Sequence, residues 1–419
     1  MKKYRPNESK REKRSRHKRK VVALAFYLAA FVTAGIFGCS TKNENPSFTH
    51  STSLPSYQQD SYQGYVTETQ QWLAENRAYK SDDHQLEVAL NSPFEVTPNK
   101  PNGEAVLLVH GLGDSPYSFH DIAQHLADQG YLVRAILLPG HGSKVGDLIL
   151  PSFEDWRGVV DHHTDLLLED YPTVWLGGYS TGANLVTSRA LEDDRVSGLL
   201  LFSPAFQPTS TAVKYAGFAS LFMQWADQDP EDNMLRYNSL PMNGAAVYYD
   251  TVSEVQNKLA AHDFSKPTVM VLSEGDSVVD TAAAVEWFNR QFPNPANRLI
   301  WQGESAPSGK RVIQQSMKLP KYRVSNGSHM GMLFHPNNPY YGTKGTVAIC
   351  DNGQSEEGYN ACLRGEEMWY SSYGYQEPGK VHARLTFNPY FEEMAAVLDS
   401  TMAATKTVDA GSLQHASTR

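Results

Sequence analysis

The stretch VWLGGYSTGAN, Val174 to Asn184, joins a short apolar run to a Gly-X-Ser-X-Gly turn and then to a helical pattern that begins near Ala183. An apolar run of that length, bounded by glycines, reads as a buried strand. A strand that turns straight into a helix brings backbone against backbone, so Gly178 and Gly182 stand where a side chain would clash. Such a turn is strained and lifts its central hydroxyl into the cleft at the strand's carboxyl end. Ser180 is therefore the candidate nucleophile.

Outward from this turn, apolar runs at Ala105 to Val109, Leu132 to Leu138, Gly198 to Phe202 and Thr268 to Leu272 read as further buried parallel strands. Helical spacing falls between them at His120 to Gly130, Trp156 to Asp170, Asn184 to Asp193 and Thr281 to Phe292. Strand and helix in alternation predict an α/β fold, a doubly wound and mostly parallel sheet. The core is expected over 101–203 and 267–401, after a polar linker and lead-in at 40–100, with a flexible tail at 402–419. Pro204 to Lys266, rich in aromatic residues and Met, interrupts the alternation and reads as a helical cap over the carboxyl edge, or as an extra core layer of the same composition. Pro336 to Phe387 is a second insertion with little periodicity.

A serine nucleophile needs a base, and the base an orienting acid. SEGDSVVD follows the run ending at Leu272; Asp276 lies inside that loop, whereas Asp280 immediately precedes a helix and is better explained as its N-cap. Asp276 is the candidate acid. KYRVSNGSHM reads as a short last core strand, a turn on Asn326 and Gly327, and then His329, the candidate base; His335, His262 and His382 are the plainer alternatives. Two backbone amides must meet the developing oxyanion. The amide of Thr181 follows the nucleophile, and that of Leu112 follows the His110-Gly111 bend in VLLVHGLGDSP.

Other chemistries fit poorly. Pro116 stands where a dinucleotide fingerprint needs its third glycine, and no Lys-Ser or Lys-Thr follows a glycine tract as a phosphate loop requires. Adjacent His162 and His163 point about 100° apart on a helix and read, with Asp165, as surface polar residues; no metal and no cofactor are expected. The chain has 419 residues, 41% of them apolar, and three cysteines, which excludes a disulfide-built miniprotein and a disordered polymer. Net charge is −9, yet the first twenty residues carry +9, so the remainder carries −18. An acidic body argues against a nucleic-acid partner.

The basic block leads into Val21 to Gly38, apolar and uncharged, then Cys39 and a polar tract: the layout of an export signal over 1–39. Ile36 to Cys39 resembles a bacterial lipobox, in which the cysteine carries lipid; an uncleaved single-span anchor and plain secretion use the same export physics. In each case the body leaves the cytoplasm, and the expected location is membrane-anchored, facing the periplasm or the surface. Cys350 and Cys362 flank a polar loop and are expected to pair in an oxidising compartment, contributing about 3 kcal/mol on the chain-entropy model.

With these residues in place the chain resembles the α/β-hydrolase superfamily, most closely its bacterial carboxylesterases and monoacylglycerol lipases. The resemblance rests on HGLGDSP at 110–116, LPGHGSKVGDL at 138–148, Asp155-Trp156, GYSTG at 178–182, EGDSVVD at 274–280 and GSHMG at 327–331. It implies a Ser180, Asp276 and His329 triad, with Leu112 and Thr181 as oxyanion donors, acting on a small-molecule or lipid-derived ester. A serine aminopeptidase, a thioesterase or an inactive surface binding protein on the same scaffold are the alternatives. Tyr215, Phe218, Phe222 and Trp225 are spaced for one helical face, which would line the cap and admit acyl chains.

Overall fold

The computed structural model describes residues 45–416. Its strands, in chain order, are β1 (Phe94–Val96), β2 (Glu104–Val109), β3 (Leu132–Ile136), β4 (Thr173–Tyr179), β5 (Val196–Phe202), β6 (Trp225–Asp227), β7 (Leu240–Pro241), β8 (Thr268–Ser273), β9 (Arg298–Gln302), β10 (Val312–Gln315), β11 (Met368–Ser371) and β12 (Val381–Arg384). Eight form one sheet in the order β1-β3-β2-β4-β5-β8-β9-β10, parallel throughout except for β1 against β3. β3 lies on one side of β2 and β4 on the other, so the strand order reverses beside β4, and the crevice at their carboxyl ends is where such sheets place a site.

The sheet is covered on both faces, as runs of continuous apolar residues require. Along β2, Ala105, Leu107 and Val109 enter one buried cluster with helices Phe153–Asp170, Thr181–Ala190 and Met242–Ala261, while Val106 and Leu108 enter another with helices His120–Asp128 and Phe391–Ala416. Helix Phe153–Asp170 starts on a capping box in which the Ser152 hydroxyl accepts from the Asp155 amide and the Asp155 carboxylate accepts from the Ser152 amide. Trp156, fully buried, donates from Nε1 to the Pro139 carbonyl at 2.9 Å, a core anchor at the helix start.

Several expectations are corrected. The lead-in holds helices Tyr62–Asn76 and His84–Asn91, docked because Tyr62 and Tyr65 are buried and donate their hydroxyls to the carbonyls of Ala135 and Leu137. His163 is no surface residue: it lies fully buried between the Tyr62 and Tyr65 rings, and burial pushes its pKa down to about 3. Arg298 to Leu319 contributes β9 and β10, so the sheet extends two strands beyond β8, and Val324 forms only isolated bridges instead of a last core strand. The tail belongs to helix Phe391–Ala416, with Met402 buried on the sheet. The cap range holds the long helix Met242–Ala261, but no single aromatic helix runs from Tyr215 to Trp225: within that stretch only Ala216–Ala219 is α-helical, and Trp225 lies in β6. Val21 to Gly38 and Cys39 lie outside the described residues.

Candidate active site

β4 delivers Ser180 directly to the amino end of helix Thr181–Ala190, and the serine takes φ 54°, ψ −115°, outside the regions an L-residue prefers. The strain is held by its neighbours. A Cβ on Gly178 would come within 2.5 Å of Ala183 backbone, and one on Gly182 would overlap the Val109 carbonyl. These two glycines let the helix start against β2 and β4, which leaves Ser180 at the crest of the turn.

The Ser180 hydroxyl lies 3.0 Å from His329 Nε2, and His329 Nδ1 lies 2.6 Å from Asp276 Oδ2. A carboxylate can only accept, so Nδ1 carries the proton and the bare Nε2 accepts from the serine. The Asp276 side chain is fully buried, and its other oxygen accepts from the amides of Val278 and Val279, at 2.8 and 3.0 Å, which fixes its orientation. Asp280 accepts from the Ala283 amide as the N-cap of helix Thr281–Gln291. The acid and base loops pack backbone on backbone: a Cβ on Gly275 would overlap the Gly327 carbonyl, and one on Gly327 would overlap the Ser273 hydroxyl.

Leu112 belongs to the loop after β2, which passes against the serine; a Cβ on Gly111 would sit 3.1 Å from that of Ser180. Thr181 is the first residue of its helix, so its amide is one of the unpaired donors of a helix amino end.

Other residues at the site escaped sequence reasoning. His141 Nε2 accepts from the Gly113 amide at 3.0 Å, and His110 Nε2 accepts from the Leu138 amide at 3.0 Å while its Nδ1 donates to the Gly111 carbonyl at 2.8 Å. Both rings must be neutral to accept, and burial lowers both pKa values, that of His141 to about 4. They pin the Gly111 to Gly113 loop from behind; their place inside HGLG and PGHG was the available signal. Ser203, with φ 42°, donates to the His329 carbonyl at 2.9 Å, and nothing in the sequence marks it.

Cys350 and Cys362 are disulfide-bonded with a Cα–Cα distance of 5.6 Å, and the surrounding insertion grips the base loop. The Ser325 amide donates to the Tyr370 carbonyl at 2.9 Å, the Ser325 hydroxyl to Glu377 at 3.0 Å and Asn326 Nδ2 to the Ser372 hydroxyl at 3.1 Å; the Ser328 hydroxyl donates to the Leu385 carbonyl.

A family described as "Serine aminopeptidase, S33" matches residues 100–301, the part of the chain that carries the elbow and the acid loop. The chain is a serine hydrolase with the α/β-hydrolase fold. It is 24% identical over 227 residues to a carboxylesterase of Bacillus subtilis (strain 168), covering 52% of this chain and 89% of that protein. It is 26% identical over 186 residues to a thermostable monoacylglycerol lipase of Bacillus sp. (strain H-257), covering 43% of this chain and 73% of that one. Among solved structures, a monoacylglycerol lipase of Paleococcus ferrophilus aligns with a TM-score of 0.42 and 18% identity, over 50% of this chain and 88% of that one.

Proposed function

We propose that this serine hydrolase cleaves carboxylic esters, with Ser180, His329 and Asp276 as its triad. The observation that carries the reading is the unbroken hydrogen-bonded relay from the Asp276 carboxylate through the His329 imidazole to a serine held on a strained turn. Ser180 Oγ attacks the ester carbonyl as His329 Nε2 takes its proton, and Asp276 stabilises the imidazolium. The amides of Leu112 and Thr181 receive the oxyanion, aided by the positive end of the helix behind Thr181. His329 then protonates the departing alcohol, and water repeats the attack on the acyl-enzyme. The intact relay counts against an inactive binding scaffold. Similarity to enzymes named carboxylesterase and monoacylglycerol lipase favours esters, including lipid-derived ones; the description of the matching family favours testing a second reading, release of N-terminal residues from peptides.

The test is turnover by the full chain of short and long acyl esters, a monoacylglycerol, a thioester and aminoacyl amides, beside Ser180→Ala. Ester turnover should dominate and fall on the order of 10⁴-fold or more in the variant. Preferential cleavage of the aminoacyl amides would install the aminopeptidase reading instead.

We further infer that the body is exported and membrane-anchored through Val21 to Cys39, a reading supported by the basic flank of the apolar run and by the Cys350–Cys362 disulfide, a bond of oxidising compartments. Labelling with a radioactive fatty acid should mark the wild type and not Cys39→Ser. An unlabelled wild type that retains its apolar run by mass spectrometry would instead be a single-span anchor.

A further inference from the structure

Of the residues expected to line the cap, Tyr215, Phe218 and Phe222 point the other way. Tyr215, Phe218, Leu221, Phe222 and Met223 are 61, 69, 73, 75 and 50% exposed, and the two Phe rings lie 5.3 Å apart. So dense a cluster of large apolar side chains in water marks a contact surface. Two observations say which. The segment continues into Trp225, whose ring meets that of Phe48 edge-on at 5.2 Å. Phe48 closes the turn Pro46–Phe48, and only five residues lie between Cys39 and Asn45, a span of at most ~22 Å of extended chain. The apolar cluster and the attachment point of the N-terminal tether therefore belong to one neighbourhood. The second observation is charge. The body beyond residue 20 carries −18, so a second copy or an acidic protein meets like charge, whereas an uncharged lipid surface does not. Lys214, with Nζ 4.8 Å from the Tyr215 ring centre, supplies the amphipathic rim typical of interfacial segments.

We propose that Tyr215 to Met223 is a bilayer-docking surface, which inserts into the lipid to which the N-terminus is tethered, so that tether and cap hold the same face of the enzyme on the membrane. The tether rests on the export reading above; the insertion rests on the exposed cluster itself. The segment is continuous with the site. At its base the Thr209 amide donates to the Val278 carbonyl at 3.0 Å, and the Val278 amide donates to Asp276 at 2.8 Å. Docking therefore sets the acid loop a short distance above the lipid, and an ester drawn from the bilayer reaches the site without crossing bulk water.

The full chain, reconstituted in nanodiscs of phosphatidylcholine and phosphatidylethanolamine, is labelled at Phe222→Cys with an environment-sensitive fluorophore, the disulfide left oxidised and the signal of wild type labelled in parallel, which reports Cys39, subtracted. The expected result is a blue shift together with quenching by acyl-chain-brominated lipid that persists at high salt. Emission at the solvent value without quenching overturns the proposal. A blue shift that appears without lipid and grows with protein concentration identifies a second copy and also overturns it. As a second measurement, the triple variant Phe218→Ser, Leu221→Ser, Phe222→Ser should keep its melting temperature and its turnover of a short soluble ester, and lose roughly tenfold in turnover of a long-chain ester held in the disc. Equal losses on both esters would make the cluster structural and overturn the docking surface. Absence of ester turnover in the wild type would remove the esterase reading, while the quenching would still decide the docking.

Discussion

Ser180 holds an unfavourable φ because Gly178 and Gly182 leave no room for any other path of the chain. The same economy separates two aspartates four residues apart: Asp276 is buried against His329, and Asp280 caps a helix. Asp276→Asn should lower kcat by on the order of 10⁴-fold, because the amide favours the wrong imidazole tautomer. Asp280→Asn should change kcat little and cost no more than a few tenths of a kcal/mol in stability, since Asn caps nearly as well. The reverse ranking in folded variants would move the acid assignment. The strained turn at Ser180 was legible because its backbone demand is written as glycines. Ser203 was not, because its hydrogen bond to His329 exists only once β5 and the base loop are adjacent.

At the scale of elements, the loop carrying His329 has no strand of its own and depends on the disulfide-bonded insertion, four of whose partners hold Ser325, Asn326 and Ser328. Reduction, or the pair Cys350→Ser and Cys362→Ser, should therefore lower kcat while KM stays near its wild-type value, and hydrogen exchange over 323–331 should accelerate. Unchanged exchange and unchanged kcat in the reduced protein would show that the insertion does not brace the base. The β2, β4, β5 and β8 runs were legible because both faces of a parallel sheet are covered and each strand must be apolar throughout. β10 is an edge strand with polar residues, Val312 to Gln315, and escapes that signature. The cap misled for the opposite reason. Apolar spacing alone nucleates no helix unless the face finds something to pack on, and among the described residues Phe218 and Phe222 stay largely exposed, their rings meeting each other.

Across the whole molecule, His141 and His163 are buried as neutral rings whose pKa values fall to about 4 and about 3. Below the ordinary value of about 6.5 the unfolded chain binds protons there that the folded chain refuses, so stability rises with pH in this window and is lost as pH falls through it. Each ring should cost on the order of 3 kcal/mol by pH ~4. Melting temperatures across that range should fall less steeply for His163→Phe, which suits a site between two tyrosine rings, than for wild type; equal slopes would show that His163 takes up its proton in the folded state.

What the sequence determined by itself was local and covalent: the glycines that permit the Ser180 turn, the apolar runs that must become covered strands, the loop order of Asp276 and His329, and the two cysteines close enough along the chain to pair. Each of these follows from what a few consecutive residues can or cannot do. Tertiary structure alone decided that His141 and His110 pin the loop beside Ser180, that Ser203 and the insertion hold His329, that His163 is interior, and that Tyr215, Phe218 and Phe222 face outward. Those outcomes depend on which surfaces meet, and a side chain's burial or hydrogen-bond partner is supplied by residues tens to hundreds of positions away.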